Sequence, residues 1–175
     1  MRELFHQETD KLLECLQDLS AHHNEVSLHF RGRYPSRPYE QTLAMFSQAL
    51  LQGRSKIAVA EEEDRIVGFC KIDLEEIKGK LDYLVVLRRS RGKGYGKALI
   101  DFLIETYAGQ YTALQVGTGD SPSTIPFYEA CGFRRHHLVK NFFTDHYDHP
   151  IYECGVQLVD MVYLQRELCG SGAPV

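Results

Sequence analysis

A glycine-rich turn between an apolar strand and an apolar helix constrains the fold of this chain more than any other segment. Its glycines alternate in the run Arg91-Gly92-Lys93-Gly94-Tyr95-Gly96. A helix that begins here leaves its first backbone N–H groups unpaired and carries partial positive charge at that end. Since glycines have no side chain, a phosphate can approach those N–H groups closely. The turn therefore favours a phosphate-bearing ligand, although turns of this kind also occur for packing alone.

Basic residues around the turn add to its attraction for anions. They are Arg88, Arg89, Arg91, Lys93 and Lys97. The spacing of the glycines does not fit the Walker loop GxxxxGK[ST], nor the GxGxxG fingerprint of dinucleotide-binding folds. The turn also comes late in the chain, after a predicted antiparallel hairpin. The sequence therefore predicts a phosphate-binding turn that is neither a Walker loop nor a dinucleotide-binding loop. A nucleotide-binding domain outside these two classes is the alternative.

Length and composition indicate one globular domain over residues 1–175, with a frayed tail at 170–175. The formal net charge of −4 at pH 7 gives no reason to expect nucleic acid or an anionic membrane as a partner. The sequence has no apolar run near the roughly 20 residues that span a bilayer, and its N-terminus lacks the apolar core of a signal peptide. The five cysteines are scattered without a CxxC pair, which favours reduced thiols and a cytoplasmic protein.

Hydrophobic periodicity predicts a mixed α/β fold. Leucines at helical spacing predict a first helix capped by Thr9 or Asp10, and a second helix begins near Tyr39 and stops at Gly53. Two more helices are predicted over residues 97–105 and 123–130. The predicted strands are residues 56–61, 65–72, 81–87, 111–116, 133–140 and 156–164. This order predicts a mixed sheet with helices on both faces.

The turn also carries a resemblance to a known family. Arg91-x-x-Gly94-x-Gly96 matches the [Q/R]-x-x-G-x-[G/A] signature of the GNAT acetyltransferase superfamily. Leu84-Val85-Val86 resembles the splayed strand of that family, and Pro126-Phe127-Tyr128-Glu129-Ala130-Cys131-Gly132-Phe133 resembles its late helix. The similarity covers roughly residues 56–133, whereas residues 1–5 offer only a very short version of the family's first strand. The resemblance implies the GNAT acyl-CoA N-acyltransferase fold, a central twisted, mostly antiparallel sheet with helices on both faces.

The resemblance implies acetyl-CoA as co-substrate and assigns residues to bind it. Backbone N–H groups of the glycine turn would hold the pyrophosphate, and the backbone of the splayed strand would pair with the pantetheine arm. Two serines stand near the position where many relatives carry an asparagine that meets the pantetheine. The cofactor-binding residues predicted in this way are Leu84, Val85, Val86, Arg91, Gly92, Lys93, Gly94, Tyr95, Gly96, Lys97, Ser121 and Ser123.

The implied activity is an N-acetyltransferase in which a primary amine attacks the thioester directly. The resemblance places Tyr128 beside the CoA sulfur as the general acid, and a phenol is protonated at neutral pH. The base is left open among Asp73, Asp82 and Tyr83. The acceptor is a small-molecule or protein amine, which the sequence does not identify. The alternative is a non-catalytic acyl-CoA-binding sensor or regulatory module, and the resemblance also allows a homodimer.

Other polar clusters give weaker signals. No metal site is predicted, because adjacent residues of a strand point to opposite faces and His136 and His137 would then not share an ion. Asp145, Asp148 and Glu153 suit either an acidic rim that attracts an amine or a plain solvated loop. The irregular segment 30–38, which includes Tyr34, is expected to shape the acceptor pocket.

Overall fold

The computed structural model of the protein describes residues 1–21 and 39–168. The expected acceptor-pocket segment 30–38 and the tail 170–175 lie outside these residues. The helices are a 3₁₀ helix His6–Leu12, α1 Leu13–Ala21, α2 Tyr39–Leu51, α3 Tyr95–Tyr107, α4 Thr124–Ala130 and α5 Phe142–His146. The strands are β1 Arg2–Leu4, β2 Ser55–Glu62, β3 Arg65–Leu74, β4 Lys78–Val86, β5 Ala113–Gly119, β6 Arg134–Val139, β7 Tyr152–Glu153, β8 Val156–Gln157 and β9 Met161–Glu167.

Among the described residues, one seven-stranded sheet has the order β1-β2-β3-β4-β5-β9-β6. Its neighbouring strands are antiparallel except for the parallel pair β4 and β5. The very short N-terminal segment does form the first strand, because Arg2 to Leu4 pair with Val59 to Ile57 of β2. The predicted mixed, mostly antiparallel sheet is therefore confirmed.

Helices cover both faces of the sheet, as predicted. Phe46 of α2 packs edge-on against the ring of Tyr83 in β4, with ring centroids 4.9 Å apart. On the other face, the start of α3 lies beside β4, since a Cβ at Gly96 would be 3.9 Å from Cγ2 of Val86. Side chains alternate along a strand, so Tyr83 and Val86 point to opposite faces. The core lies in the two layers between these helices and the sheet.

The β2–β3 hairpin closes with a two-residue turn at Glu63 and Asp64. Both residues have left-handed backbone conformations, with φ of 51° and 59°. This is the pattern of a type I′ turn, whose twist matches that of the flanking strands. Glu62 and Arg65 face each other across it, as the predicted short hairpin requires.

The predicted cap of the first helix is wrong. Thr9 and Asp10 lie inside the 3₁₀ helix His6–Leu12, and α1 follows without a break at Leu13. Thr9 is buried, and its hydroxyl donates to the carbonyl of His6 at 2.6 Å instead of capping a helix end. A short polar side chain can satisfy a backbone group one turn earlier, so residue type alone does not fix the start of a helix.

The predicted strand 156–164 is also wrong in its first half. Val156 and Gln157 pair with Tyr152 and Glu153 in a separate ribbon, and the sheet strand β9 begins only at Met161. Leu158 lies between them, with its backbone N–H donating to Ile151 at 2.8 Å and its side chain buried. Leu158 is buried beside Gly119 at the end of β5, and the chain rejoins the sheet only at Met161. The short helix α5 was not predicted.

Candidate acyl-CoA site

Strands β4 and β5 separate halfway along their length. They pair from Lys78 with Ala113 to Leu81 with Val116, but both strands continue, to Val86 and Gly119. No strand of the described residues fills the gap between their second halves. The gap has the position that the family resemblance predicts for a splayed strand.

The backbone of Leu84 and Val86 faces this gap. On the other edge of β4, the N–H of Leu87 donates to the carbonyl of Val67 at 2.8 Å, and Val85 stands opposite Phe69. In an antiparallel pair the residues alternate between bonding to the partner strand and pointing away from it. Leu84 and Val86 therefore point away from β3. Arg91 already uses one of these groups, because its Nε donates to the carbonyl of Val86 at 3.1 Å.

The glycine turn lies at the end of β4 and leads into α3. Gly92 and Gly94 have φ of 75° and 86°, and no atom lies within 4 Å of the place where either would carry a Cβ. The first backbone bond of α3 runs from Ala98 to Gly94 at 3.0 Å. The N–H groups of the three residues between them thus have no acceptor inside the helix. N–H groups without a helical acceptor, preceded by two glycines with open space at their Cβ positions, suit a pyrophosphate.

The basic residues around the turn are less available than the sequence suggests. Three of them form ion pairs with carboxylates: Arg89 with Glu14 at 2.6 Å, Lys93 with Glu62 at 3.1 Å, and Lys97 with Asp101. These side chains are largely exposed, and exposed pairs stabilise a protein by only about 0–1 kcal/mol. A phosphate can therefore compete with these carboxylates for the basic side chains. The backbone N–H groups of the glycine turn are the stronger part of the predicted pyrophosphate site.

Tyr128 lies on α4 with its side chain completely buried. Its ring packs edge-on between Phe127 and Phe133, with centroids 5.1 Å and 5.4 Å away. Burial, with a smaller contribution from nearby Cys131, raises the pKa of Tyr128 well above its usual value. The phenol is therefore protonated at physiological pH, as an acid must be. The helix begins at Thr124, one residue after its predicted start at Ser123, so Pro126 still falls in the first turn where no N–H is needed.

Ser121 and Ser123 belong to a hydrogen-bonded group at the start of α4. The N–H of Ser123 donates to the hydroxyl of Ser121 at 3.2 Å, and the hydroxyl of Ser123 donates to Glu153 at 2.9 Å. Thr124 donates to the same oxygen of Glu153 at 3.3 Å. Glu153 is buried, so it is not part of the acidic rim that was one of the two expectations for it. These bonds tie α4 to the β7–β8 ribbon, and the contact of the serines with pantetheine stays a prediction.

Two of the three candidate bases meet at a lysine that was not singled out from the sequence. Lys71 is buried, with Nζ 2.5 Å from Asp73 and 2.9 Å from Asp82. The third candidate, Tyr83, has its ring centroid 6.0 Å from the same nitrogen. A charged residue inside an otherwise apolar strand, as in Cys70-Lys71-Ile72, is the signal that could have identified this lysine.

Two buried hydroxyls were also missed. Ser90 lies just before the glycine turn, and Thr118 lies in the second half of β5, where that strand no longer pairs with β4. Neither hydroxyl has a hydrogen-bond partner among the described residues. A buried hydroxyl without a partner is costly. Their positions near the gap and the turn fit a ligand that supplies the missing bonds.

The prediction that His136 and His137 point to opposite faces is wrong, because the pairing of β6 with β9 shifts register between Arg135 and His137. The shift lets the two Nδ1 atoms approach to 2.8 Å, the distance of a hydrogen bond. His137 also stacks on Tyr163, with centroids 4.3 Å apart. Across residues 1–21 and 39–168, no group of three or more His, Cys, Asp or Glu side chains is arranged to hold a metal ion.

Comparison with known proteins agrees with this geometry. Residues 53–135 match the acetyltransferase (GNAT) domain family. The uncharacterized N-acetyltransferase YvbK of Bacillus subtilis is 37% identical over 78 residues, which cover 43% of this chain and 50% of that protein. The match thus spans about half the length of this curated relative.

Solved structures extend the similarity over more of the chain. An IAA acetyltransferase from Bacillus cereus has a TM-score of 0.63 and 30% identity, over 74% of this chain and 85% of that one. A Bacillus subtilis acetyltransferase in complex with CoA has a TM-score of 0.64 and 28% identity, over 71% of this chain and 83% of that one. The chain belongs to the GNAT acetyltransferase family. None of the helices described here is long and apolar enough to cross a membrane.

Proposed function

We propose that this protein is an N-acetyltransferase that moves the acetyl group of acetyl-CoA to a primary amine, either of a small molecule or of a protein. The observation that carries the proposal is the gap between β4 and β5, which opens beside the glycine turn. One edge of the gap offers backbone groups of Leu84 and Val86, and the turn offers the N–H groups at the start of α3. The similar Bacillus subtilis acetyltransferase in complex with CoA supports the same ligand here.

The binding residues follow from this arrangement. The pantetheine arm pairs with the backbone groups of Leu84 and Val86, on either side of Val85, as an added strand would pair with β4. The pyrophosphate is bound by N–H groups of the glycine turn, where the helix dipole favours negative charge. Lys93 and Lys97 exchange their exposed carboxylate partners for phosphate oxygens. Thr118 donates its buried hydroxyl to a polar group of the arm.

The reaction needs two proton transfers. The acceptor ammonium loses a proton to solvent, and the neutral nitrogen attacks the thioester carbon to form the C–N bond. When the C–S bond breaks, Tyr128 donates its phenolic proton to the departing thiolate, and the second amine proton restores the phenol through water. The products are an N-acetylated acceptor, CoA with its thiol and one released proton. Because its pKa is raised, the Tyr128 phenol stays protonated at neutral pH and can act as the acid.

Calorimetric titration with acetyl-CoA tests the site. Gly94→Leu should weaken binding by about tenfold or more, since a side chain would cover the N–H groups of the turn. Gly109→Leu is the matched control, because Gly109 follows the other end of α3, has a φ of 79° and also has no atom within 4 Å of its Cβ position. Both variants carry the same type of backbone strain, so only Gly94→Leu should lose affinity. Equal losses would overturn the assignment of the pyrophosphate site.

Turnover tests the role of Tyr128. Tyr128→Phe keeps the packed ring but removes the proton, so kcat with an accepted amine should fall by about 10²-fold or more while the Kd for acetyl-CoA holds. Unchanged turnover would exclude Tyr128 as the acid. Tight acetyl-CoA binding without transfer to any amine of a broad panel would instead support the acyl-CoA-binding sensor or regulatory module.

A further inference from the structure

A small hydrophobic cluster lies apart from the main core, at the β9 side of the sheet. Most of its side chains come from the segment between β6 and β9, which includes α5, β7 and β8, and the rest come from β9 itself. The buried members are Phe143, Leu158, Met161 and Tyr163, and the partly buried members are Phe142, Tyr147 and Ile151. The segment thus packs around its own apolar residues, with β9 beneath them.

This cluster lies on the α2 face of the sheet. Arg166 of β9 donates to the carbonyl of Cys131 at the end of α4, so it points to the face that α4 covers. Side chains alternate along a strand, so Met161 and Tyr163 point away from α4. α4 itself packs against the start of α3 through Phe127, and α3 lies opposite α2. The cluster therefore shares its face with α2.

The cluster reaches the gap between β4 and β5. Gly117 and Gly119 belong to the second half of β5, which forms one edge of the gap. A Cβ at Gly117 would lie 2.9 Å from Cε1 of Tyr163, and a Cβ at Gly119 would lie 2.6 Å from Cδ1 of Leu158. The two glycines thus let the cluster lie directly on β5. On this face the gap is bordered by α2 over β4 and by the cluster over β5.

Hydrogen bonds hold the segment in this place. Its β7–β8 ribbon is tied to the start of α4, on the other face, because Ser123 and Thr124 donate to Glu153 at 2.9 Å and 3.3 Å. Within the segment, the N–H of Phe143 donates to the carbonyl of Val159 at 2.9 Å. The segment therefore grips the end of β5 from both faces and forms a fixed wall beside the gap.

A cavity of about 150 Å³ opens within this wall. Its apolar lining comes from Phe143, Tyr147, Ile151 and Leu158. The rings of Phe143 and Tyr147 are inclined by only 25° to each other, with centroids 5.7 Å apart. An apolar cavity of roughly this volume accommodates one benzene ring. Its size and its lining therefore suit a single apolar ring.

The charged groups of the cavity lie at its solvent-exposed rim. They are Asp148 and His149, which are both exposed, with Nδ1 of His149 at 2.5 Å from Oδ1 of Asp148. An ammonium group would lose its hydration inside the apolar part, which is costly. A cationic acceptor would thus place an uncharged ring in the cavity and keep its amine outside.

The amine of such an acceptor can reach the gap. Leu158 lines the cavity and also contacts Gly119 at the edge of the gap, so the two spaces lie on either side of one side chain. A short aliphatic chain between ring and nitrogen spans that separation.

We propose that this cavity binds an apolar ring of the acceptor, and that the acceptors are amines joined to such a ring by a short aliphatic chain. Ile151 and Leu158 determine the size of the ring that fits. The inference rests on the proposed acetyl transfer, since it names the acceptor class of the same reaction.

The first test compares phenethylamine with 2-methoxyethylamine at saturating acetyl-CoA. Both probes are primary amines on a two-carbon chain, and their ammonium groups have similar acidity, but only phenethylamine carries a ring. The wild-type protein should acetylate phenethylamine with a kcat/KM about tenfold or more above that for 2-methoxyethylamine, because the buried ring stabilises the bound acceptor. Equal values would overturn the proposal.

Filling the cavity should remove this preference. Ile151→Phe adds a ring to the lining and should lower kcat/KM for phenethylamine by about tenfold, mainly by raising KM, with little effect on 2-methoxyethylamine. Ile77→Phe is the matched control, because Ile77 is an exposed isoleucine in the β3–β4 turn, and it should leave the ratio between the probes unchanged. An unchanged ratio in Ile151→Phe would exclude the cavity as the ring site.

Enlarging the cavity provides an independent test. Ile151→Ala should raise kcat/KM for 2-(1-naphthyl)ethylamine relative to phenethylamine by about fivefold or more, since a larger ring then fits. If Ile151→Phe does not fold, as judged by circular dichroism, this variant decides the question. A ratio equal to that of the wild type would contradict the role of Ile151.

The outcomes separate this inference from the proposed function. If the wild-type protein fails to bind acetyl-CoA in the calorimeter, the proposed function is wrong. If it binds acetyl-CoA but acetylates 2-methoxyethylamine as well as phenethylamine, or neither of them, the acetyl-CoA site stands and the acceptor class is overturned.

Discussion

Gly96 of α3 packs directly against Phe127 of α4: a Cβ at Gly96 would lie 3.3 Å from Cζ of the phenyl ring. The third glycine of the turn therefore differs from Gly92 and Gly94, which have open space around them and a left-handed backbone. Its role is to let α3 and α4 approach each other, and Tyr128 follows Phe127 immediately. The spacing of α3 from α4 thus influences where the proposed acid lies.

Enlarging Gly96 should destabilise the fold through this contact. Gly96→Leu is expected to cost about 1–3 kcal/mol of unfolding free energy, because the added side chain must displace the ring of Phe127. Urea denaturation measures the loss. Combining the change with Phe127→Leu should recover part of it, since the smaller side chain leaves room, and strictly additive losses would show that the two residues do not compete for the same space.

Substitutions in the β2–β3 turn should raise the stability of the protein. Glu63 and Asp64 both hold positive φ, which Asn and Gly adopt with less strain. The double substitution Glu63→Asn with Asp64→Gly is expected to raise the unfolding free energy by about 0.5–1 kcal/mol. Thermal denaturation at fixed pH measures it. A lowered Tm would contradict the type I′ assignment, since glycine in an ordinary turn only adds freedom to the unfolded chain.

Glu153 should be needed for stability rather than for attraction of a substrate. It is the acceptor for the hydroxyls of Ser123 and Thr124, and Thr124 is buried. Glu153→Ala should cost about 1–3 kcal/mol, because a buried hydroxyl loses its acceptor, while Glu153→Gln should cost less since its amide oxygen can accept. Asp148→Ala, at an exposed carboxylate in the same part of the chain, serves as the control for the measured Tm. Equal effects of the two alanine variants would contradict this role.

The cysteines should differ sharply in reactivity. Cys15, Cys70 and Cys131 are buried, and burial raises the pKa of each thiol, whereas Cys154 is exposed. Because the thiolate is the reactive form, a brief treatment with iodoacetamide should modify Cys154 and spare the three buried residues. Peptide mapping by mass spectrometry identifies the modified positions. Rapid labelling of Cys70 in the folded protein would mean that the central strands open locally.

Stability should fall at alkaline pH through the same buried thiols. Burial raises the pKa of Cys70 to about 12 from an ordinary value of 9.0. A raised pKa in the folded state means that the stabilisation is complete below pH 9 and is lost as the pH rises towards 12, because only the unfolded chain releases the proton easily. The difference in Tm between wild type and Cys70→Ala should therefore shrink between pH 7.5 and pH 10.5, two values within about 1.5 units of that ordinary pKa. A constant difference would show that this thiol ionises equally in both states. Cys15→Ala should behave in the same way, since burial raises the pKa of Cys15 to about 12 as well.

Local sequence determined most of the helices and strands, and the glycine turn. Short apolar runs bounded by turn residues specify β2, β3 and β4, the proline at position 126 requires α4 to begin just before it, and Gly92 and Gly94 adopt the positive φ of their turn without strain. Each of these is a preference of a few consecutive residues for one backbone conformation, so it can be predicted without knowledge of the rest of the chain. The family signature at Arg91, Gly94 and Gly96 is local in the same sense.

Pairing across the sheet decided what the sequence left open. The bulge at Asp82 and the register shift at His136 depend on which residues of β3 and β9 stand opposite, and these partners lie on other strands. The bulge alone turns Asp82 towards Lys71, and the shift alone brings His136 against His137. A strand's own pattern predicts strict alternation, and on that basis His136 and His137 were expected on opposite faces. The ion pairs of Arg89 and Lys93 with Glu14 and Glu62 could not be predicted from the sequence for the same reason. Contacts between residues remote in the chain exist only once the sheet and its helices have assembled.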